Sequence, residues 1–237
     1  NILGVVKKVG MEIAGKVLKM RRDGHELIKM IGGRRVHPNW GLPGGVSKGI
    51  NEEQRLEIER LGRDAIEFGK FSLKIFEDVV LKNTDYVKLV TGDIYVHKTY
   101  NMGMVDANNR TNFYDGLIRI TGPDGKEHAK YPCAMYQEYV AERVEPWSYL
   151  KFPYLKKVGW KGLVDGADSG VYKATPLSRC NVAEGMATPL ANAEYKRMYE
   201  ILGGKPVHHT LATHWARLVE LLYAAERWLE LVRDPEI

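Results

Sequence analysis

Apolar side chains at Val6, Val9, Ile13, Val17, Met20, Leu27 and Ile31 recur by threes and fours, which predicts one long amphipathic helix over about residues 1–31. Gly24 marks the expected kink, and Gly32-Gly33 the stop. At 1.5 Å per residue such a helix reaches about 45 Å, a length that calls for other long helices beside it. A second helix is predicted over 51–82. Asn51 can cap its free amides while Gln54 reaches back, Glu52 and Glu53 suit its positive end, and Ile58, Leu61, Ala65, Phe68, Ile75 and Val79 form its stripe. From about 86 to 133 the period falls to two. Val87–Val90, Ile94–Tyr100, Phe113–Ile120 and His128–Tyr131 read as short strands of an antiparallel sheet, with Gly122-Pro123-Asp124-Gly125 as a hairpin turn. Helical spacing returns over 189–202, opened by Thr188-Pro189. It continues over 210–233 with Leu211, Trp215, Leu218, Leu222, Leu229 and Val232. The expectation is a single α+β domain over 1–237, mainly helical, with a long-helix bundle core and a small antiparallel sheet.

Of the 237 residues 44% are hydrophobic and 27% charged, with 35 basic and 30 acidic side chains for a net charge of +5. That is the composition of a folded domain with a real core. The basic residues are scattered among acidic ones, and the clusters Lys19–Arg22 and Arg34–Arg35 are short, so a solvated basic face is expected rather than a nucleic-acid site. No stretch approaches the apolar length of a membrane span and no secretory signal opens the chain, which therefore reads as soluble and cytoplasmic. It begins at Asn1 rather than methionine and stops just after Asp234-Pro235, as a piece of a longer protein would. Cys133 and Cys180 are the two cysteines. They supply neither a disulfide framework nor a Cys-x-x-Cys pair, and no thiolate-ligated cluster is expected in these residues.

Three segments stand out chemically. In GGRRVHPNWGLPGGV, Gly32 to Val46, glycines and two prolines surround His37 and Trp40. Proline stiffens such a loop and glycine lets a backbone approach closely, although a plain tight connection between antiparallel helices would carry the same residues. The lysine and Ser/Thr of a phosphate loop do not follow. In EPWSYLKFPYLK, Glu145 to Lys156, interleaved aromatics and lysines could stack bases, but an aromatic strap packed on the core is the plainer reading. In HHTLATHWARL, from His208, three of the seven histidines gather. His209 and His214 are five apart and so share no helix face as a metal pair would; capping or hydrogen bonding is expected of them.

These segments, with TPLSRCNVAEGMATPL and KPVHHTLATHWARLVELLYAAE, resemble in order and spacing the central part of the large subunit of nickel-iron hydrogenases. The likeness runs over nearly the whole chain and points to the methyl-viologen-reducing group linked to heterodisulfide reductase. It implies cleavage and re-formation of dihydrogen at a nickel-iron centre carrying carbon monoxide and cyanide. The implied partners are an iron-sulfur small subunit, then further electron-transfer subunits, heterodisulfide reductase among them. In that family two Cys-x-x-Cys pairs hold the metals, and neither is present here, so these residues alone are expected to be inactive and to bind no nickel or iron. Matched residue by residue, His37 corresponds to the histidine facing the small subunit with its nearest cluster. Arg179 and His209 correspond to supports of the buried region around the active site. A metal-free, hydrogenase-derived scaffold is the competing expectation.

Overall fold

The computed structural model describes residues 2–236; Asn1, where the first helix is expected to begin, and Ile237 lie outside the described residues. About half of the chain is helical. It divides into two compact units, Asn1–Ser72 with Ala224–Ile237, and Leu73–Tyr223.

In the first unit, α1 (Ile2–Gly32) and α2 (Glu52–Phe76) are the two long predicted helices. The break in α1 falls at Gly10, whose φ of 83° leaves the helical region, while Gly24 stays helical. Gly10 relieves the chain because a residue without Cβ reaches positive φ at little cost, whereas nothing at Gly24 demands it. The expected cap at α2 is present: Asn51 Oδ1 accepts from Gln54 N at 2.9 Å and Gln54 Oε1 accepts from Asn51 N at 3.1 Å. Ile58, Leu61 and Ala65 are buried as the stripe predicts. Lys19 on α1 ties the helices by reaching Asp23 at 2.5 Å and Asp64 at 3.1 Å. Between them the loop forms a two-stranded hairpin, β1 (Gly41–Leu42) with β2 (Gly45–Val46). The end of α7 (Thr213–Val232) lies over α2, with Trp228 and Leu229 against Gly62.

The second unit begins at Leu73, within the last turn of α2, and continues through a π turn, Glu77–Leu81. The run Val87–Val90 is not a strand. It lies in α3 (Thr84–Thr91), because Asn83 accepts from the amides of Asp85 and Tyr86 at 3.0 and 3.3 Å and so nucleates a helix. A short apolar run fits either period, and the cap decides it. Ile94 likewise sits in an exposed 3₁₀ turn, Asp93–Tyr95, and apart from a single bridge at Val96 the ladder starts at β3 (Tyr100–Val105). β3 pairs antiparallel with β5 (Leu117–Thr121), and β5 with β6 (Glu127–Pro132) across the predicted turn, where Gly125 takes a φ of 82°. Phe113 precedes β5 in an exposed loop, held off the ladder by the Asn112 side chain accepting from Tyr114 N at 2.9 Å.

The sheet is mixed at its margins. β4 (Arg110–Thr111) pairs antiparallel with β3 and parallel with β10 (Gly185–Met186), and β9 (Tyr172–Lys173) runs parallel to β3. After the short α4 (Tyr136–Tyr139), the aromatic strap is a separate hairpin of β7 (Val140–Val144) and β8 (Lys151–Leu155), with Phe152 opposite Arg143. Pro153 in β8 hides the strand from a periodicity reading. Trp160 lies within 6 Å of Phe152 and Tyr154, ring to ring, and donates to Glu145 at 3.0 Å. Two helices complete the unit, α5 (Pro176–Val182) and α6 (Pro189–Ile201), with the first part of α7, whose Trp215, Ala216 and Val219 are fully buried.

Candidate functional site

The second unit holds a polar knot around α5. Thr175 and Ser178 cap that helix reciprocally, each side-chain oxygen accepting from the other's amide at 3.2 Å, and Pro176 presets its first turn. α5 lies directly on β3 at Gly103. A Cβ there would stand 2.8 Å from Val182 Cγ2 and 3.0 Å from Arg179 Cα, so only glycine permits the approach. Arg179 leaves α5 along this β3-facing side, with its Cγ also close to Gly103, and its tip is fixed. Its guanidinium donates to both oxygens of Glu220 on α7, at 2.6 and 2.7 Å, and to Ala174 O at 3.2 Å, and it lies 5.4 Å from the centre of the Phe113 ring. The Glu220 bond holds this guanidinium firmly in its charged form.

Two residues further along α5, Asn181 ties the helix to the segment carrying His209. Its amide nitrogen donates to Val207 O at 2.8 Å and to Asn101 Oδ1 at 3.2 Å, while its oxygen accepts from Val207 N at 3.1 Å and from the Tyr199 hydroxyl at 2.9 Å. Arg179 and His209 are therefore brought to one knot, each two residues from a member of this clamp. His209 pairs with Val96 through the backbone, and its Nδ1 is buried with no hydrogen-bond partner among the described residues. Beside it, His208 Nε2 donates to Pro123 O at 2.8 Å, which leaves Nδ1 as the acceptor facing Lys173 Nζ at 3.4 Å. Lys173 also donates to His97 O at 2.6 Å, and burial lowers its pKa to about 8; burial likewise lowers that of His208.

Neither cysteine is a prepared metal ligand. Cys180 is fully buried on α5, and burial pushes its thiol far above the ordinary range, so it stays protonated. Its neighbours are likewise hydroxyls kept neutral. The Tyr195 hydroxyl donates to Ala183 O at 2.6 Å and accepts from Lys205 at 2.8 Å, and burial raises its pKa. Cys133 is exposed and apart, and among the described residues no three His, Cys, Asp or Glu side chains converge as a metal site.

His37 lies in the first unit. It is exposed on the loop after α1 and takes a φ of 52°. The loop folds back so tightly that a Cβ on Gly32 would sit 2.3 Å from Pro38 Cβ and 2.9 Å from Trp40 Cδ1. Asn39 N donates to Gly32 O at 3.2 Å and Ser47 N to Trp40 O at 2.7 Å, so the imidazole is carried on a braced turn. The sequence points to Arg179 and His209 through resemblance but not to Asn181, Glu220 or Lys173. Glu220 does carry a signal, a lone carboxylate within the apolar run Leu218–Leu222 of a buried helix.

This architecture is that of a nickel-iron hydrogenase large subunit. The chain superposes on the NAD+-reducing [NiFe]-hydrogenase in its H2-reduced state with a TM-score of 0.85 at 26% identity, covering 99% of this chain and 49% of that one. A [NiFeSe]-hydrogenase of Dm. baculatum shares the fold at a TM-score of 0.62 and 18% identity, over 98% of this chain and 51% of that one. By sequence the chain is a homologue of F420-non-reducing hydrogenase subunits. It is 45% identical over 237 residues to a chain named as an iron-sulfur subunit of the F420-non-reducing hydrogenase of Archaeoglobus profundus, and 37% identical over 237 residues to a subunit of the vhu F420-non-reducing hydrogenase of Methanococcus voltae. It is also 30% identical over 247 residues to the beta subunit of the NAD-reducing hydrogenase HoxS of Cupriavidus necator. All of this chain takes part in each of these three matches, against 49%, 53% and 47% of the relatives, so it spans about half their length. No family model matches the chain.

The two cysteines do not fit the donor set of a nickel-iron centre, since one is a buried neutral thiol and the other stands alone. Among the described residues no helix is long and apolar enough to cross a membrane.

Proposed function

We propose that this chain is part of the catalytic large subunit of a nickel-iron hydrogenase, which cleaves or forms dihydrogen and passes electrons to an iron-sulfur small subunit. The observation that carries the reading is the agreement along the entire chain, at 30 to 45% identity, with three hydrogenase subunits, together with the shared fold. In this reading the metals, with their carbon monoxide and cyanide ligands, are held by cysteine pairs outside these 237 residues, and the chain alone is inactive. Its own contribution is mechanical and electrostatic. The Arg179–Glu220 pair and the Asn181 clamp hold α5, α7 and the His209 segment in one register, so that groups packed against them meet a fixed field. In this reading His37, on its braced and exposed turn, faces the small subunit and influences electron exit.

Electrons would continue to further subunits, heterodisulfide reductase among them, in the cytoplasm. The test is nickel content and hydrogen-dependent reduction of methyl viologen by the complete subunit purified with its small subunit. One nickel per large subunit with activity supports the reading. Absence of both, in a well-folded complex, would make the protein a metal-free scaffold.

A further inference from the structure

Lys173 crosses two segments that lie far apart in the sequence. His97 N donates to His208 O at 3.0 Å and Val96 pairs with His209, so residues 96–97 and 208–209 form one short bridge. The Lys173 amine, carried in on β9, donates to His97 O at 2.6 Å and faces His208 Nδ1 at 3.4 Å. It pins both sides of the bridge. His208 is only 8% exposed, and its Nε2 donates to Pro123 O at 2.8 Å. With that proton placed, Nδ1 accepts from the amine only while the imidazole is neutral.

A second proton on the ring would set two cationic donors against each other, because Lys173, with its pKa of about 8, is already charged in neutral and acid solution. The surrounding groups do not offset this. Lys98 adds positive charge from beside β3, and His209 is the ring neighbour on the same segment. Asp165 already accepts from Lys98 N at 2.8 Å and pairs with the His97 ring, while Asp124, next to Pro123, accepts from Lys126 N at 3.1 Å. Burial first, then Lys173, Lys98 and His209, hold the His208 pKa below its ordinary value against the pull of Pro123 O. An imidazolium keeps its bond to Pro123 O, since Nε2 is a donor in both states. The partner that must move is the half-buried Lys173, on its flexible stem.

We propose that Lys173 and His208 form an acid-released latch: protonation of His208 expels the Lys173 amine, unpins His97 and loosens the segment Val207–His209. Asn181 holds that same segment through Val207 N at 3.1 Å and Val207 O at 2.8 Å, so the latch regulates how firmly His209 is tied to α5. It stands on these contacts and not on the hydrogenase reading.

The test is amide hydrogen exchange in the complete protein as purified, expressed as protection relative to the intrinsic rate at each pH. Between about pH 7.5 and 5, wild-type peptides holding His97 and Val207 should lose protection severalfold, and at most roughly thirtyfold, the ratio in which a free imidazole of pKa about 6.5 is protonated at pH 5. Peptides of β5 should keep theirs. His208→Gln retains a donor for Pro123 O but takes up no proton, and should show no acid loss. Lys173→Met removes the amine, so its protection should be lower already at neutral pH and fall little further in acid. Unchanged wild-type protection would overturn the latch, as would an acid loss in either variant equal to that of the wild type. Should the glutamine variant misfold, the Lys173→Met comparison decides alone.

Discussion

Breaking the Arg179–Glu220 pair should cost far more than losing a surface bridge, and removing both charges should restore most of the loss. The pair is bidentate, at 2.6 and 2.7 Å, and its side chains are only 25% and 11% exposed. Removing one partner of a buried pair typically costs about 3–5 kcal/mol because the other charge is left without compensation. In E220L the guanidinium retains Ala174 O, the Phe113 ring and a quarter of its surface in water, so a loss of about 2 kcal/mol is expected. In R179M the carboxylate that remains is the more buried of the two, and a loss of about 3 kcal/mol follows. The double variant R179M/E220L replaces the pair by apolar volume and should lose about 1 kcal/mol, giving a coupling of about 4 kcal/mol. Urea unfolding of all four proteins, followed by tryptophan fluorescence, measures the cycle. Additive losses, or single losses below about 0.5 kcal/mol, would refute the reasoning and make the pair an ordinary exposed bridge.

Two further outcomes are expected. Gly103→Ala should destabilise the second unit by roughly 1–3 kcal/mol, because the new Cβ overlaps Val182 and the Arg179 backbone, and urea unfolding checks it. Stability should rise between about pH 8 and 10.5 by up to roughly 1.4 kcal/mol per pH unit from Lys173, since the unfolded lysine keeps a proton over that window which the buried one, with its pKa of about 8, has lost. Below pH 8 both forms are protonated and this contribution to the slope vanishes. A Lys173→Met protein with an unchanged slope would show that Lys173 is not its source.

The long helices are legible because Asn51 and the regular apolar spacing of α2 and α7 act locally. Val87–Val90 misleads because three apolar residues around Lys88 fit a strand as well as a helix, and the decision rests with the Asn83 cap one turn earlier. The hairpin β7–β8 is hidden by Pro153, and the parallel additions β9 and β10 join residues more than seventy apart, which no local pattern reports. For the site, Arg179 and His209 emerge through likeness to a family. Glu220, Asn181 and Lys173 gain their roles only from tertiary contacts.

Deuterium exchange bears most closely on whether these 237 residues serve a hydrogen-activating subunit: the complete subunit, assembled with its small subunit, is placed under D2 in H2O and the gas is analysed for HD and H2. The wild type is expected to produce HD. His37→Ala is expected to retain nearly the full exchange rate while reducing external acceptors more slowly, because only the electron's exit is disturbed. An assembled, folded complex that forms no HD would rule out the hydrogenase reading.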